Sequence, residues 1–155
     1  MRLQVEWGRR PVPLVRSKGD GLYGVDLEKL DPAPGVYVFA RQWGSGFEAL
    51  YVGKADNIRR RLRGQLNNLR LMNHVQVAKT GKRIVLPGYA VTRPGQRMPT
   101  VLTTLERALI RHFLSEGHDL VNKMGARIRR HEIDSIGAPR RFLPSMMYLE
   151  RSRGN

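Results

Sequence analysis

Residues 35–62 constrain this chain more than any other stretch. Gly35-Val36-Tyr37-Val38-Phe39 and Ala49-Leu50-Tyr51-Val52-Gly53 are short runs rich in β-branched and aromatic side chains, which suit strands. The Gly-rich Gln42-Trp43-Gly44-Ser45-Gly46 between them reads as a hairpin connection. The second run breaks at Gly53, and Asp56-Asn57 then supplies capping side chains for a helix loaded with arginine. Alternation puts Tyr37 and Phe39 on one face of the first strand and Val36 and Val38 on the other. On the second strand, spanning 49–53, Tyr51 shares a face with Ala49 and Gly53, small residues that leave space above its ring.

The spacing predicts a helix over 56–72 with an apolar stripe at Ile58, Leu62, Leu66, Leu69 and Met72. Arg59, Arg60 and Arg63 point away from that stripe, as a solvated or phosphate-contacting face. Arg61 sits at its border, on the side that packs against the strands. Its planar guanidinium suits a phosphate better than a point charge does. Lys54, at the turn from strand to helix, is within reach of a phosphate or a tyrosine.

A second helix is expected over 100–116, capped by Thr100, with Val101, Leu102, Leu105, Leu109, Ile110 and Phe113 as its buried arc. Glu106 falls inside that arc. An ionised carboxylate there is costly unless something positive compensates it, and the candidates are Arg61 or a divalent ion.

The middle segment 73–100 has strand pieces at 75–77 and 84–86, a third strand at Tyr89-Ala90-Val91, and basic loops carrying Lys79, Lys82, Arg83, Arg93 and Arg97. Residues 1–34 hold an edge strand at Leu3, Val5 and Trp7 and then irregular Pro- and Gly-marked chain, with no chemistry assigned. The tail, 126–155, is basic (Arg129 and Arg130 among others) and irregular, with apolar stretches that would pack on the core or on a partner subunit.

At 155 residues the chain suits one domain. Its net charge of +15 is a statement about partners, favouring a polyanion. No stretch has the apolar length of a membrane span, and no apolar signal-peptide core opens the chain, so nucleic acid in the cytoplasm is the expected setting. Cysteine is absent, which excludes disulfides and thiolate chemistry, and the four histidines form no metalloprotease-type pair.

With Gly35-Val36-Tyr37 as first tripeptide, Tyr51-Val52-Gly53 as second, Arg61 at the expected offset, then Glu106 and Asn122, the segment 35–125 resembles the GIY-YIG nuclease superfamily. The resemblance implies an α+β domain with a three-stranded antiparallel sheet flanked by helices, here with N- and C-terminal extensions. It also implies a stand-alone endonuclease on double-stranded DNA, of restriction, phage, mobile-element or toxin type. Glu106 would hold one Mg²⁺ or Mn²⁺ per site, Arg61 would stabilise phosphate charge, and Asn122 would close the site. Tyr37 or Tyr51 would act as base, with Lys54 or His74 lowering the cost of ionising a phenol whose ordinary pKa is near ~10. Cutting both strands with one site per chain suggests a homodimer. The rival readings are a catalytically silent DNA-binding module on the same fold and an RNA-binding or RNA-processing protein.

Overall fold

The computed structural model describes residues 2–16, 23–78, 80–122, 129–134, 136 and 146–151. The chain divides into two compact units, Met1–Asn122 and Lys123–Asn155. The first contains strands β1 (Gln4–Trp7), β2 (Val12–Arg16), β3 (Tyr23–Val25), β4 (Gly35–Trp43), β5 (Gly46–Ala55) and β6 (Lys82–Val91). Its helices are α1 (Ile58–Gln65), α2 (Leu69–Val77) and α3 (Met98–Ser115). The second unit contains a hairpin of β7 (Arg129–Asp134) and β8 (Met146–Arg151), antiparallel from Arg129↔Arg151 to Asp134↔Met146. The tail read as irregular therefore carries two strands, one of them built from its apolar Met146-Met147-Tyr148-Leu149 run.

The α+β class holds, and the expected β6-β4-β5 trio lies at the sheet's centre and one end. The sheet is larger than three strands, however. The N-terminal extension adds β1 and β2, both paired with β6, and β3 paired with β2, giving six antiparallel strands. The two strand pieces expected after residue 80 merge into one strand that runs through Pro87. That residue lies where β1 gives way to β2 along β6, so the outer ladder is interrupted there in any case, and its carbonyl accepts from the Gly8 N–H at 2.9 Å.

Alternation sorts the core into two layers. Tyr37, Phe39 and Leu50 pack with Ile58, Leu62, Leu71, Met72 and Val75 under α1 and α2. Val36 packs with Val101 and Leu105 of α3 on the other face. The single helix expected over 56–72 is two helices. Asn68 caps a new start by accepting from the Leu71 N–H at 3.1 Å, a side-chain bond that competes with continuing the first helix, and residues 75–77 finish α2 instead of forming a strand. Helix α3 starts earlier than expected: Pro99 fits its first turn, Arg97 occupies the capping position without a side-chain bond, and Thr100 lies inside. A β-bulge also revises the face around Tyr51. Phe39 pairs with Tyr51 but Ala40 with Ala49, so Leu50 is the extra residue and joins Tyr51's side while Ala49 turns to the other. Among the described residues no helix is long and apolar enough to cross a membrane.

Candidate active site

The start of β4 and the end of β5 bring the two tyrosines together. Their ring centroids are 6.1 Å apart, and Phe39 meets Tyr37 edge-on at 5.8 Å. Tyr37 pairs with Gly53, and its ring lies across that glycine. A Cβ at position 53 would stand 2.4 Å from Tyr37 Cζ and 2.5 Å from its oxygen, so only glycine admits this packing.

Tyr37 is fully buried, and its hydroxyl faces Arg61 and Tyr51 without a close, well-aligned hydrogen bond to either. A buried hydroxyl without such a bond is uncommon and costs stability. Burial pushes the Tyr37 phenol well above its ordinary pKa, Tyr51 pushes it the same way, and the Arg61 guanidinium pulls it partly back. Arg61 is in turn held more firmly protonated, chiefly by Tyr37. The arginine reaches this spot because it is exposed on the first turn of α1, a helix whose start is fixed by Asn57 accepting from the Arg60 N–H at 2.9 Å.

Arg61 and Lys54 line one cleft of about 320 Å³, together with Asp56, Asn57, Arg60 and Gly64. Lys54 alternates with Gly53 and so emerges on the α3 face. There its ammonium meets Glu106 Oε2 at 2.8 Å and donates to Thr103 Oγ1 at 3.1 Å. Glu106 is thus compensated by Lys54, which neither of the two expected partners anticipated. Its side chain retains 21% exposure, so it stands at the rim and not in the core.

Asn122 is tied to the same strand. β5 ends the sheet, and the chain at 118–122 runs along its free edge. His118 Nδ1 accepts from the Ala49 N–H at 2.7 Å, and the Val121 N–H donates to the Leu50 carbonyl at 2.9 Å. Asn122 Oδ1 accepts from the Val52 N–H at 3.1 Å while its Nδ2 donates to the Val52 carbonyl. Both ends of the amide are therefore used in sealing β5 beside Tyr51.

No family model, curated protein or solved structure matches this chain. The GIY-YIG likeness accordingly rests on the sequence motifs alone.

The remaining expected residues separate into several groups. His74 is not brought to the cleft: its Nε2 lies 3.1 Å from the Asp119 carbonyl, and it lines a different cavity with Arg41, Glu48 and Leu50. Arg83 is consumed as a cap for α2, donating from Nε to the Val75 carbonyl at 3.0 Å and from its other nitrogens to the carbonyls of Gly81, Gln76 and Ala78. Arg59 donates to the Leu30 carbonyl at 2.7 Å, and Arg60 faces Asp56 at 3.7 Å across open surface. Arg63, Lys82, Arg93 and Arg97 are exposed. Lys79 and the side chains of Arg129 and Arg130 lie outside the described residues.

Sequence reading missed Thr103 and His118. Thr103 lies three residues before Glu106 on α3, a spacing that puts both on one helix face. His118 follows Gly117, whose φ of 86° stops α3 and turns the chain back toward β5.

Among the described residues no three acidic, histidine or cysteine side chains gather at one point. A single partly exposed carboxylate, ion-paired to a lysine that lines the cleft, would suit a hard, water-rich ion of the Mg²⁺ type, which takes one or two carboxylates plus substrate phosphates, and not a transition metal held in an all-protein cage.

Proposed function

We propose that this chain is a divalent-metal-dependent DNA endonuclease of the GIY-YIG type, hydrolysing phosphodiester bonds at the cleft between β5 and α1. The observation that carries the reading is the convergence of Tyr37, Tyr51, Arg61 and Lys54 at one end of a single hairpin, with Glu106 joined to them through Lys54. These residues come from separate parts of the sequence and from both faces of the sheet.

Tyr51 is the better base of the two phenols. A phenol must lose its proton to act, and burial opposes that at Tyr37, whereas Tyr51 is partly exposed. Tyr37 serves instead to hold the Arg61 charge over the cleft. Arg61 meets the phosphate charge that builds in the transition state, and its delocalised fork stays protonated through the reaction. Lys54 supplies a second cation and orients the Glu106 carboxylate through their ion pair. Glu106 would hold the Mg²⁺, whose contribution is to offset charge at the scissile phosphate and leaving oxygen. Duplex DNA as the substrate, a homodimer as the cutting form and the cytoplasm as the setting belong to the same proposal, consistent with a +15 chain.

One observation favours the rival reading, a DNA-binding module without catalysis: Lys54 already neutralises Glu106, so the carboxylate has no outstanding need for a metal ion. Incubation of supercoiled plasmid with and without Mg²⁺ separates the two. Mg²⁺-dependent nicking that disappears in Glu106→Ala and Arg61→Ala supports the enzyme. Binding without nicking supports the silent module, and nicking that survives in both variants sinks the site.

A further inference from the structure

The N-terminal extension, to which sequence reading gave no chemistry, builds a second basic groove. Between β1 and β2 the chain crosses beside Pro87, and the crossing leaves a concavity of about 660 Å³ floored by Pro87 and the Tyr89 ring. Arg9, Arg10 and Lys29 rim it, against one acid, Asp31. Arg9 and Arg10 are exposed and make no ion pair among the described residues, while Lys29 shares Asp26 at 3.7 Å across open surface. The Asp31 N–H donates to the Tyr89 hydroxyl at 2.8 Å, which fixes the far wall.

This groove and the candidate active site meet at one turn of helix. Arg59, at the start of α1, donates to the Leu30 carbonyl next to Asp31, and its charge acts on Tyr89. The next two residues, Arg60 and Arg61, line the cleft. The turn Arg59–Arg61 therefore joins two cationic hollows. We infer that the groove at Arg9, Arg10 and Lys29 binds the phosphodiester backbone of the DNA duplex held in the cleft, at phosphates away from the scissile one. The inference rests on the nuclease reading for its ligand. Two arginines without an ion pair among the described residues, with Lys29 shared by Asp26 and one carboxylate, Asp31, in the lining, leave the groove net cationic, and such contacts position a duplex without reading its sequence.

The test is fluorescence anisotropy of the full chain with a labelled DNA duplex of about 30 bp, without Mg²⁺, over a salt series. Removing two phosphate contacts in R9Q/R10Q should lower the slope of log affinity against log salt by about 1.8 and weaken binding about tenfold or more near 0.15 M salt. R9K/R10K should restore both, which a merely structural role for the arginines would not predict. If wild type nicks plasmid but R9Q/R10Q binds with unchanged slope and affinity, the groove proposal falls and the nuclease reading stands. If wild type binds DNA and R9Q/R10Q binds it more weakly, yet no nicking occurs, the nuclease reading falls and the groove remains as a DNA site. Equal sensitivity of an RNA duplex or of poly-glutamate to R9Q/R10Q would overturn the assignment to DNA.

Discussion

The two faces of the central sheet solve opposite problems. Under α1 and α2 the face is aromatic, with Tyr37, Phe39 and Tyr51 in edge-on and tilted contact around a hydroxyl that has no well-aligned hydrogen bond. Under α3 the cluster beside the site is aliphatic, with Val36, Val101 and Leu105 inside and a completed Lys54–Glu106 pair, while Phe47, Phe113 and His118 form a separate ring group against α3. One face holds a polar group only loosely partnered; the other has a closed ion pair. Both deliver their polar groups to the same end of the hairpin because neighbouring strand residues point opposite ways, so Gly53 serves one face and Lys54 the other. The comparison teaches that a cleft can draw on a perturbed group and a compensated one without burying either charge.

The sharpest way to break the comparison is to remove one charge from each side. Arg61→Ala and Glu106→Ala should each reduce Mg²⁺-dependent nicking by about 10²–10³-fold, the scale for losing one preorganised charge-stabilising group. Their effects on stability should be small, since both side chains retain solvent access and a partly exposed ion pair contributes about 1 kcal/mol or less. Urea midpoints of the two variants would show this. A large loss of stability in either would mean that the residue is structural.

Glycine substitutions on the two faces come next in size. A Cβ at Gly53 would meet the buried Tyr37 ring, which has nowhere to go. A Cβ at Gly88 would meet Trp7 ring atoms and Val5 Cγ2, each at 2.9 Å, but Trp7 is 43% exposed and Val5 half-buried on the short strand β1, so both can shift outward. Gly53→Ala should therefore cost about 1–3 kcal/mol by denaturant titration, and Gly88→Ala distinctly less. Equal costs would show that the aromatic face is no more tightly fixed than the other.

How much of this was readable in the chain differs by residue. The strand–hairpin–helix unit was legible because its signals are local: alternation, a Gly-rich connection and an Asx cap. Glu106 was legible as an anomaly in an apolar arc. Its partner was not, because Lys54 reaches it across layers and no periodicity encodes that contact. The break between α1 and α2 was missed because the apolar stripe continues through it, while the Asn68 cap overrides the stripe. The bulge at Leu50 was invisible, since an extra residue in a strand leaves composition unchanged and only the pairing reveals it. The N-terminal strands were underestimated because β2 and β3 are short and interrupted by proline and glycine; what makes them strands is β6, supplied from much later in the sequence.

Tyr37→Phe should then separate stability from function by a smaller margin. The hydroxyl has no well-aligned partner, so removing it should change stability by about 1 kcal/mol or less, while nicking falls because Arg61 loses its neighbour. The pH dependence adds a second readout. Because the folded phenol sits above its ordinary value, Tyr37 costs no stability below the unfolded tyrosine pKa of about 10, and stability declines as pH rises above that. Thermal melts from about pH 8 to 11 should show a shallower alkaline decline in Tyr37→Phe than in wild type. An identical decline in both would mean the hydroxyl is in contact with water.

The smallest expected effect lies along the sealed edge of β5, where a titrating group and a non-titrating one do the same job. Burial lowers the His118 pKa, against the opposing pull of Glu48 and Glu116, and the ring packs against Phe47 and Phe113. Its Nδ1 can accept from the Ala49 N–H only while unprotonated. His118 therefore contributes its full stability above the ordinary histidine value of about 6.5 and loses it as pH falls below that toward the lowered folded value. Asn122 makes the equivalent bonds to Val52 and carries no titratable proton in this range. Amide hydrogen exchange, corrected for its intrinsic pH dependence, should show protection at Ala49 falling several-fold between about pH 7 and 5 while protection at Val52 holds. His118→Asn, which can accept without titrating, should flatten the Ala49 profile. A parallel fall at both amides would mean that the edge opens as one piece and that the imidazole does not govern it.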